Sequence, residues 1–106
     1  MVTAVQQGEI WWGEAPDQKG RPYLVITRQA AIDVLRTVLV APVTRTVRDI
    51  PTEVPLGPEE GLPSTCAATI DNTLAFPRSM LTRRMGALEL ERRGELCAAW
   101  RAAADC

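Results

Sequence analysis

Apolar and polar positions change period several times along this chain, and each change marks an element. Ile10, Trp11 and Trp12 stand together between Glu9 and Gly13, which reads as a first strand. EAPDQKG, from Glu14 to Gly20, is a polar loop of turn formers. Pro22 to Arg28, PYLVITR, is β-branched and aromatic and predicts a second strand. Ala30 to Leu35 reads as a short connection with about one helical turn. Thr37 to Val43, TVLVAPV, is a near-continuous apolar run, the mark of a strand buried on both faces. A basic exit loop, TRTVRD, follows.

IPTEVPLGPEEGLPS then holds four of the eight prolines. Proline donates nothing to a ladder, so Thr52 to Leu56 reads as an edge strand followed by a turn. Ser64 to Ile70 is a further strand, and Asp71 to Phe76 continues or re-enters the sheet. PRSML starts a short turn or helix, with Pro77 suited to its first position. Arg84 to Leu88 reads as the last strand. The period then lengthens. Leu90, Arg93, Cys97, Trp100 and Ala104 recur at helical spacing, behind the acids Glu89 and Glu91, which suit a helix start. Gly94 weakens that helix by about 1 kcal/mol relative to alanine. Short strands with proline-rich turns and one closing helix predict a mainly-β fold, a small barrel capped by a C-terminal α-helix.

Composition narrows the function. The chain of 106 residues is expected to be one domain, residues 1–106. A hydrophobic fraction of 46% argues against disorder. No apolar run approaches the ~18 residues of a membrane helix, and the start, MVTAVQQGEIWW, lacks the basic end and apolar core of a signal peptide. A cytoplasmic protein without membrane association is therefore expected. Cys66, Cys97 and Cys106 show no metal spacing and read as free thiols, the first two as buried small hydrophobes. There are no histidines, which excludes a Ser-His-Asp triad, a Cys-His pair and a His-ligated metal. The net charge of −1 hides a pattern: Lys19, Arg21, Arg28, Arg36, Arg45 and Arg48 face one acid, Asp33, in their stretch. Asp49, Glu53, Glu59 and Glu60 then follow with no base between them. Such patches act locally even when the total is near zero. Trp11 and Trp12 are neighbours in a strand, so one faces in and one out. An outward ring can stack on a nucleic-acid base, although core or dimer packing is the commoner use.

The ordered segments GEIWW, GRPYLVI, VLVAPVTRTVR, PTEVPL and GLPS, with a closing helix, resemble the MazF/PemK toxins of bacterial toxin–antitoxin systems over about Gly8 to Leu96. The resemblance implies an SH3-like small barrel, of the fold shared with CcdB and Kid, built as a homodimer. It implies a metal-independent, cofactor-free endoribonuclease that cuts single-stranded RNA and is silenced by a cognate antitoxin. The catalytic arginine of the family's RP pair matches Arg21, and its catalytic threonine after the third strand matches Thr44. Lys19, Arg45 and Arg48 are the expected phosphate contacts. Asp17 and Gln18 stand in the loop that touches bases, and Asn72 in a segment that lies along the RNA groove. That segment departs from the family pattern: DNTLA, Asp71 to Ala75, has Asn72 for the usual glutamine and Leu74 for a basic residue. Two other readings stand beside this one. One is a non-enzymatic gyrase poison of the CcdB type, which relies on a tryptophan close to the chain's end; here RAAADC follows Trp100. The other is a fold relative that binds RNA or protein without catalysis.

Overall fold

Strands form where the apolar runs are punctuated by Gly, Pro and Asp, and helix takes over only at the end. The computed structural model describes residues 4–105. The strands are β1 (Glu9–Gly13), β2 (Arg21–Val25), β3 (Thr37–Thr44), β4 (Glu53–Leu56), β5 (Cys66–Thr69), β6 (Leu74–Pro77) and β7 (Leu81–Ala87). The α-helices are α1 (Gln29–Ile32) and α2 (Arg93–Ala104), and short 3-10 turns join several of these elements.

All pairings are antiparallel, in the order β4-β5-β3-β2-β1-β7, with β6 added on β3. β3 is the hub. Its first half, Thr37 to Val40, pairs with β6, its last two residues pair with β5, and Val40 to Pro42 pair with β2. One long strand serving partners at both ends curls the sheet into a half-barrel, closed over by α2. Alternation along the strands builds two cores. Ile10, Leu24, Ala41 and Val43 share one with Val54, Leu56, and Leu96 and Ala99 of α2. Trp11, Tyr23, Val25, Val40 and Phe76 share the other, where the Tyr23 and Phe76 rings sit 4.8 Å apart. The mainly-β small barrel with a C-terminal helix is therefore the fold this chain adopts.

Several boundaries differ from the sequence expectation, each for a local reason. β2 ends at Val25 because the Leu39 amide donates to the Thr27 hydroxyl at 2.6 Å instead of to a backbone carbonyl. β3 is not buried on both faces throughout. Thr37 and Leu39 are exposed, lining an open groove of about 540 Å³ beside α2. β6 starts only at Leu74, after a turn over Ile70–Asn72; Pro77 closes that strand and leads directly into the short 3-10 turn Arg78–Met80 that PRSML predicts. β7 begins at Leu81, earlier than Arg84, since Leu81 and Arg83 already pair with β1. The helical stripe is shifted in phase. Leu90 belongs to a separate 3-10 turn and is 78% exposed, Cys97 and Trp100 are exposed, and Leu96 and Ala99 carry the burial. The expectation that Cys97 is buried is thus corrected, while Cys66 is buried, and burial pushes its thiol up from the usual value. Cys106 lies outside the described residues.

Arg92 fastens the start of α2 to the sheet. Its guanidinium donates to Glu60 at 3.1 Å, to both Glu95 oxygens at 2.7 and 2.8 Å, and to the Pro55 carbonyl at 2.7 Å. The Glu95 hydrogen bonds raise the Arg92 pKa, and the same contact lowers that of Glu95.

Candidate active site

β2 begins and β3 ends at the same end of the sheet, because the two strands are antiparallel neighbours. Their ladder pairs Tyr23 with Pro42. Arg21 lies two residues before Tyr23 and Thr44 two residues after Pro42, so both stand just beyond this end of the ladder, where Arg21 pairs with Gly13 and Thr44 with Ala67. Arg21 is exposed, and among the described residues no side chain holds its guanidinium. Pro22 behind it locks φ, so the cation stands on the first rigid residue after a loop. Thr44 is half-buried. Its Oγ accepts the Thr46 amide at 3.1 Å, and its own proton has no acceptor among the described residues.

Two loops flank this pair. The β1–β2 loop carries Asp17, Gln18 and Lys19, all exposed, directly ahead of Arg21. The β3–β4 loop carries Arg45 and Arg48, both exposed, directly behind Thr44. Neither Lys19, Arg45 nor Arg48 forms an ion pair among the described residues. Asn72 lies on the other side of β3, exposed in the turn that precedes β6. The β1–β2 loop, Arg21, Thr44 and the β3–β4 loop thus gather at the end where β2 begins and β3 ends, while Asn72 stands in the turn before β6. In the departing segment, Asp71 accepts the Thr52 hydroxyl at 2.6 Å, and Leu74 packs on the second core. Where the family pattern has a basic side chain, this chain has an apolar contact.

The tryptophans divide as alternation requires. Trp11 is buried in the second core. Trp12 faces the opposite way, and the end of the β1–β2 loop lies flat on its indole: a Cβ on Gly20 would sit 2.5 Å from Cζ2. The indole N–H donates to Glu14 at 2.8 Å, at the other end of the same loop, and the Arg83 guanidinium lies 5.8 Å over the ring. Trp12 therefore pins both ends of the loop that delivers Arg21. The acidic run is not the open patch its composition suggests. Glu53 and Glu60 are buried and accept backbone amides. Sequence reasoning missed Glu53, whose only linear signal is a carboxylate five residues beyond Arg48.

In chemical terms, this end of the sheet offers a planar cation and a hydroxyl donor side by side, between loops with further cations. That arrangement suits an oxyanion such as a phosphodiester, which a guanidinium binds through two parallel hydrogen bonds.

Comparison with known proteins agrees with this geometry. The family model for the PemK-like, MazF-like toxin of type II toxin–antitoxin systems matches residues 6–103. The probable endoribonuclease MazF5 of Mycobacterium tuberculosis is 36% identical over 107 aligned residues, covering 100% of this chain and 98% of that protein. The solved structure of the Mycobacterium tuberculosis toxin MazF-mt6 superposes with a TM-score of 0.84 at 35% identity, covering 92% of this chain and 96% of that one. A mycobacterial endoribonuclease solved with its cognate antitoxin has the same fold, with a TM-score of 0.84 at 22% identity over 96% of each chain. With the model spanning nearly the whole chain and a relative above one-third identity from end to end, the chain belongs to the PemK-like, MazF-like toxin family.

Proposed function

We propose that this chain is a single toxin domain that cuts single-stranded RNA at short sequences without a metal. We place it in the cytoplasm as a homodimer held in check by a cognate antitoxin. Among the described residues no helix is long and apolar enough to cross a membrane. The observation that carries the reading is the antiparallel pairing of β2 with β3. It brings the start of β2, with Arg21 unpartnered among the described residues, and the end of β3, with Thr44, toward the same end of the sheet, beside the exposed cations Lys19, Arg45 and Arg48. The naming of the MazF5 relative as a probable endoribonuclease supports it, as does the family's description as toxins of toxin–antitoxin systems.

RNA carries its own nucleophile, the 2′-hydroxyl beside each phosphate. Its oxygen bonds to phosphorus as the bond from phosphorus to O5′ breaks. The 2′ proton leaves to solvent and O5′ takes one up, which yields a 2′,3′-cyclic phosphate and a 5′-hydroxyl. The enzyme's task is alignment and stabilisation of the charge that grows on the non-bridging oxygens. Arg21 grips those oxygens, and the free proton of Thr44 adds a hydrogen bond to one of them. Electrostatic stabilisation of this kind is commonly the largest catalytic contribution. A guanidinium stays charged in proteins, so its role here is electrostatic rather than proton transfer. Lys19, Arg45 and Arg48 neutralise flanking phosphates, and Asp17, Gln18 and Asn72 face the bases.

The test is cleavage of a long RNA in EDTA by the purified chain and by Arg21→Ala, with the cut ends mapped. The expected result is cuts at a recurring short motif with cyclic-phosphate ends, absent in a folded Arg21→Ala protein. RNA left intact by the wild-type chain would reject the nuclease reading and turn attention to the gyrase-poison and RNA-binding alternatives.

A further inference from the structure

The β3–β4 loop is short of regular structure and crowded with cations, and one buried side chain holds it. Glu53, the first residue of β4, is 8% exposed. Its carboxylate accepts the Arg48 amide at 3.0 and 3.2 Å and the Asp49 amide at 2.9 Å. Asp49 has φ 56°, a left-handed conformation that non-glycine residues keep only where the surroundings enforce it. The successive Arg48 and Asp49 amides both donate to one carboxylate oxygen, like the amides of an anion-binding nest. The nest is filled by the chain's own carboxylate. Glu53 is itself fixed, since it pairs with Thr69 across the β4–β5 ladder and its amide donates to the Ile50 carbonyl at 3.0 Å. Next to it, the Thr52 hydroxyl donates to Asp71 at 2.6 Å, which ties this loop to the segment holding Asn72.

We infer that Glu53 is a positioning residue for RNA binding: its carboxylate orders the backbone at Arg48 and Asp49 so that Arg48 and Arg45 point outward to phosphates. This rests on the RNA-cleaving function proposed above. An acid beside a phosphate site repels RNA when it is exposed. Here its charge is enclosed and matched by amides, so it shapes the loop at little electrostatic cost to the site. Oε1 accepts both amides and Oε2 lies 3.2 Å from the Arg48 amide. Glutamine removes the charge and turns an NH₂ group toward the Arg48 amide where Oε2 stood, so it loosens the loop at Arg48 with almost no change in volume.

The experiment measures binding of a 2′-O-methyl RNA oligonucleotide, which cannot be cut because its nucleophile is blocked. Wild type, Glu53→Gln, Arg48→Ala and the double variant are compared over a salt series. Glu53→Gln is expected to weaken binding about tenfold and to reduce the salt slope by about one phosphate contact. With saturating cleavable RNA, its kcat should stay within about threefold of wild type. In the Arg48→Ala background the same change should weaken binding less than about twofold, because the two residues act through one loop. Wild-type affinity in Glu53→Gln, an equal loss in both backgrounds, equal falls in kcat and affinity, or no binding by the wild type would each overturn the inference. If Glu53→Gln does not fold, amide exchange in the wild type decides. The Arg48 and Asp49 amides should exchange at least about tenfold more slowly than that of Val47, and equal rates would overturn it. Because the binding arm needs no cleavage, a chain that binds but never cuts rejects the nuclease proposal and still judges Glu53.

Discussion

Thr44 Oγ accepts the Thr46 amide and donates to nothing among the described residues, which leaves its proton for the proposed contact with RNA. Thr44→Ala removes both roles. Loss of one exposed hydrogen bond costs about 1 kcal/mol of stability, whereas loss of a hydrogen bond made in the transition state costs on the order of 10²-fold in kcat. Thr44→Ser retains the hydroxyl and should stay within about tenfold of wild type. Single-turnover cleavage with saturating RNA measures all three proteins, and a Thr44→Ala rate equal to wild type would remove Thr44 from the mechanism. The division of labour between Trp11 and Trp12 belongs to this scale as well. Period-two alternation predicts that they face opposite ways, and they do. It says nothing of Gly20, which meets Trp12 only because the loop folds back over the ring.

Among the elements, the β1–β2 loop and α2 respond to substitution in different ways. Gly20 has no room for a Cβ against the Trp12 indole. Gly20→Ala therefore lifts the end of the loop and displaces Arg21, and misplacement by about 1 Å can cost ~10²-fold in rate. We expect kcat/KM to fall about 10- to 100-fold while the melting temperature changes little. Unchanged kinetics would mean that the indole does not position Arg21. Gly94 is the opposite case. It is exposed in the first turn of α2, and a Cβ there meets nothing within 4 Å. Gly94→Ala should stabilise the protein by about 0.4–1 kcal/mol. That raises Tm by roughly 2–5 °C in a domain of this size, read by a thermal melt, with RNA cleavage unaffected; a lower Tm would refute the open helical site. The phase of α2 was misread in sequence for a physical reason. Periodicity counted from Leu90 runs through a 3-10 turn, which advances the chain at a different angle per residue and moves the buried stripe to Leu96 and Ala99.

At the scale of the whole molecule, apolar surface stays uncovered beside the groove between α2 and β3. Leu35, Leu39 and Trp100 are 42%, 37% and 41% exposed there. Exposed apolar surface of this kind favours association, in keeping with the proposed homodimer. Sedimentation of the purified chain at micromolar concentration should give twice the monomer mass, and a monomer would count against a groove shared by two subunits. The strands and the mainly-β class were legible in the sequence alone, while Arg21 and Thr44 entered as candidates through the resemblance to the MazF/PemK toxins. Strand patterning is local and proline marks edges, whereas a lone arginine before a proline or a threonine at a strand end does not by itself point to catalysis. Tertiary structure alone decided the rest. Antiparallel pairing, not sequence distance, brings the start of β2, with Arg21, toward the end of β3, with Thr44, 23 positions further along. Burial turned Glu53 from one acid in a run into the anchor of a basic loop, and packing of α2 chose which of its faces to cover. These outcomes depend on which backbone groups lack partners once the sheet has curled, and a linear pattern of residue types does not carry that information.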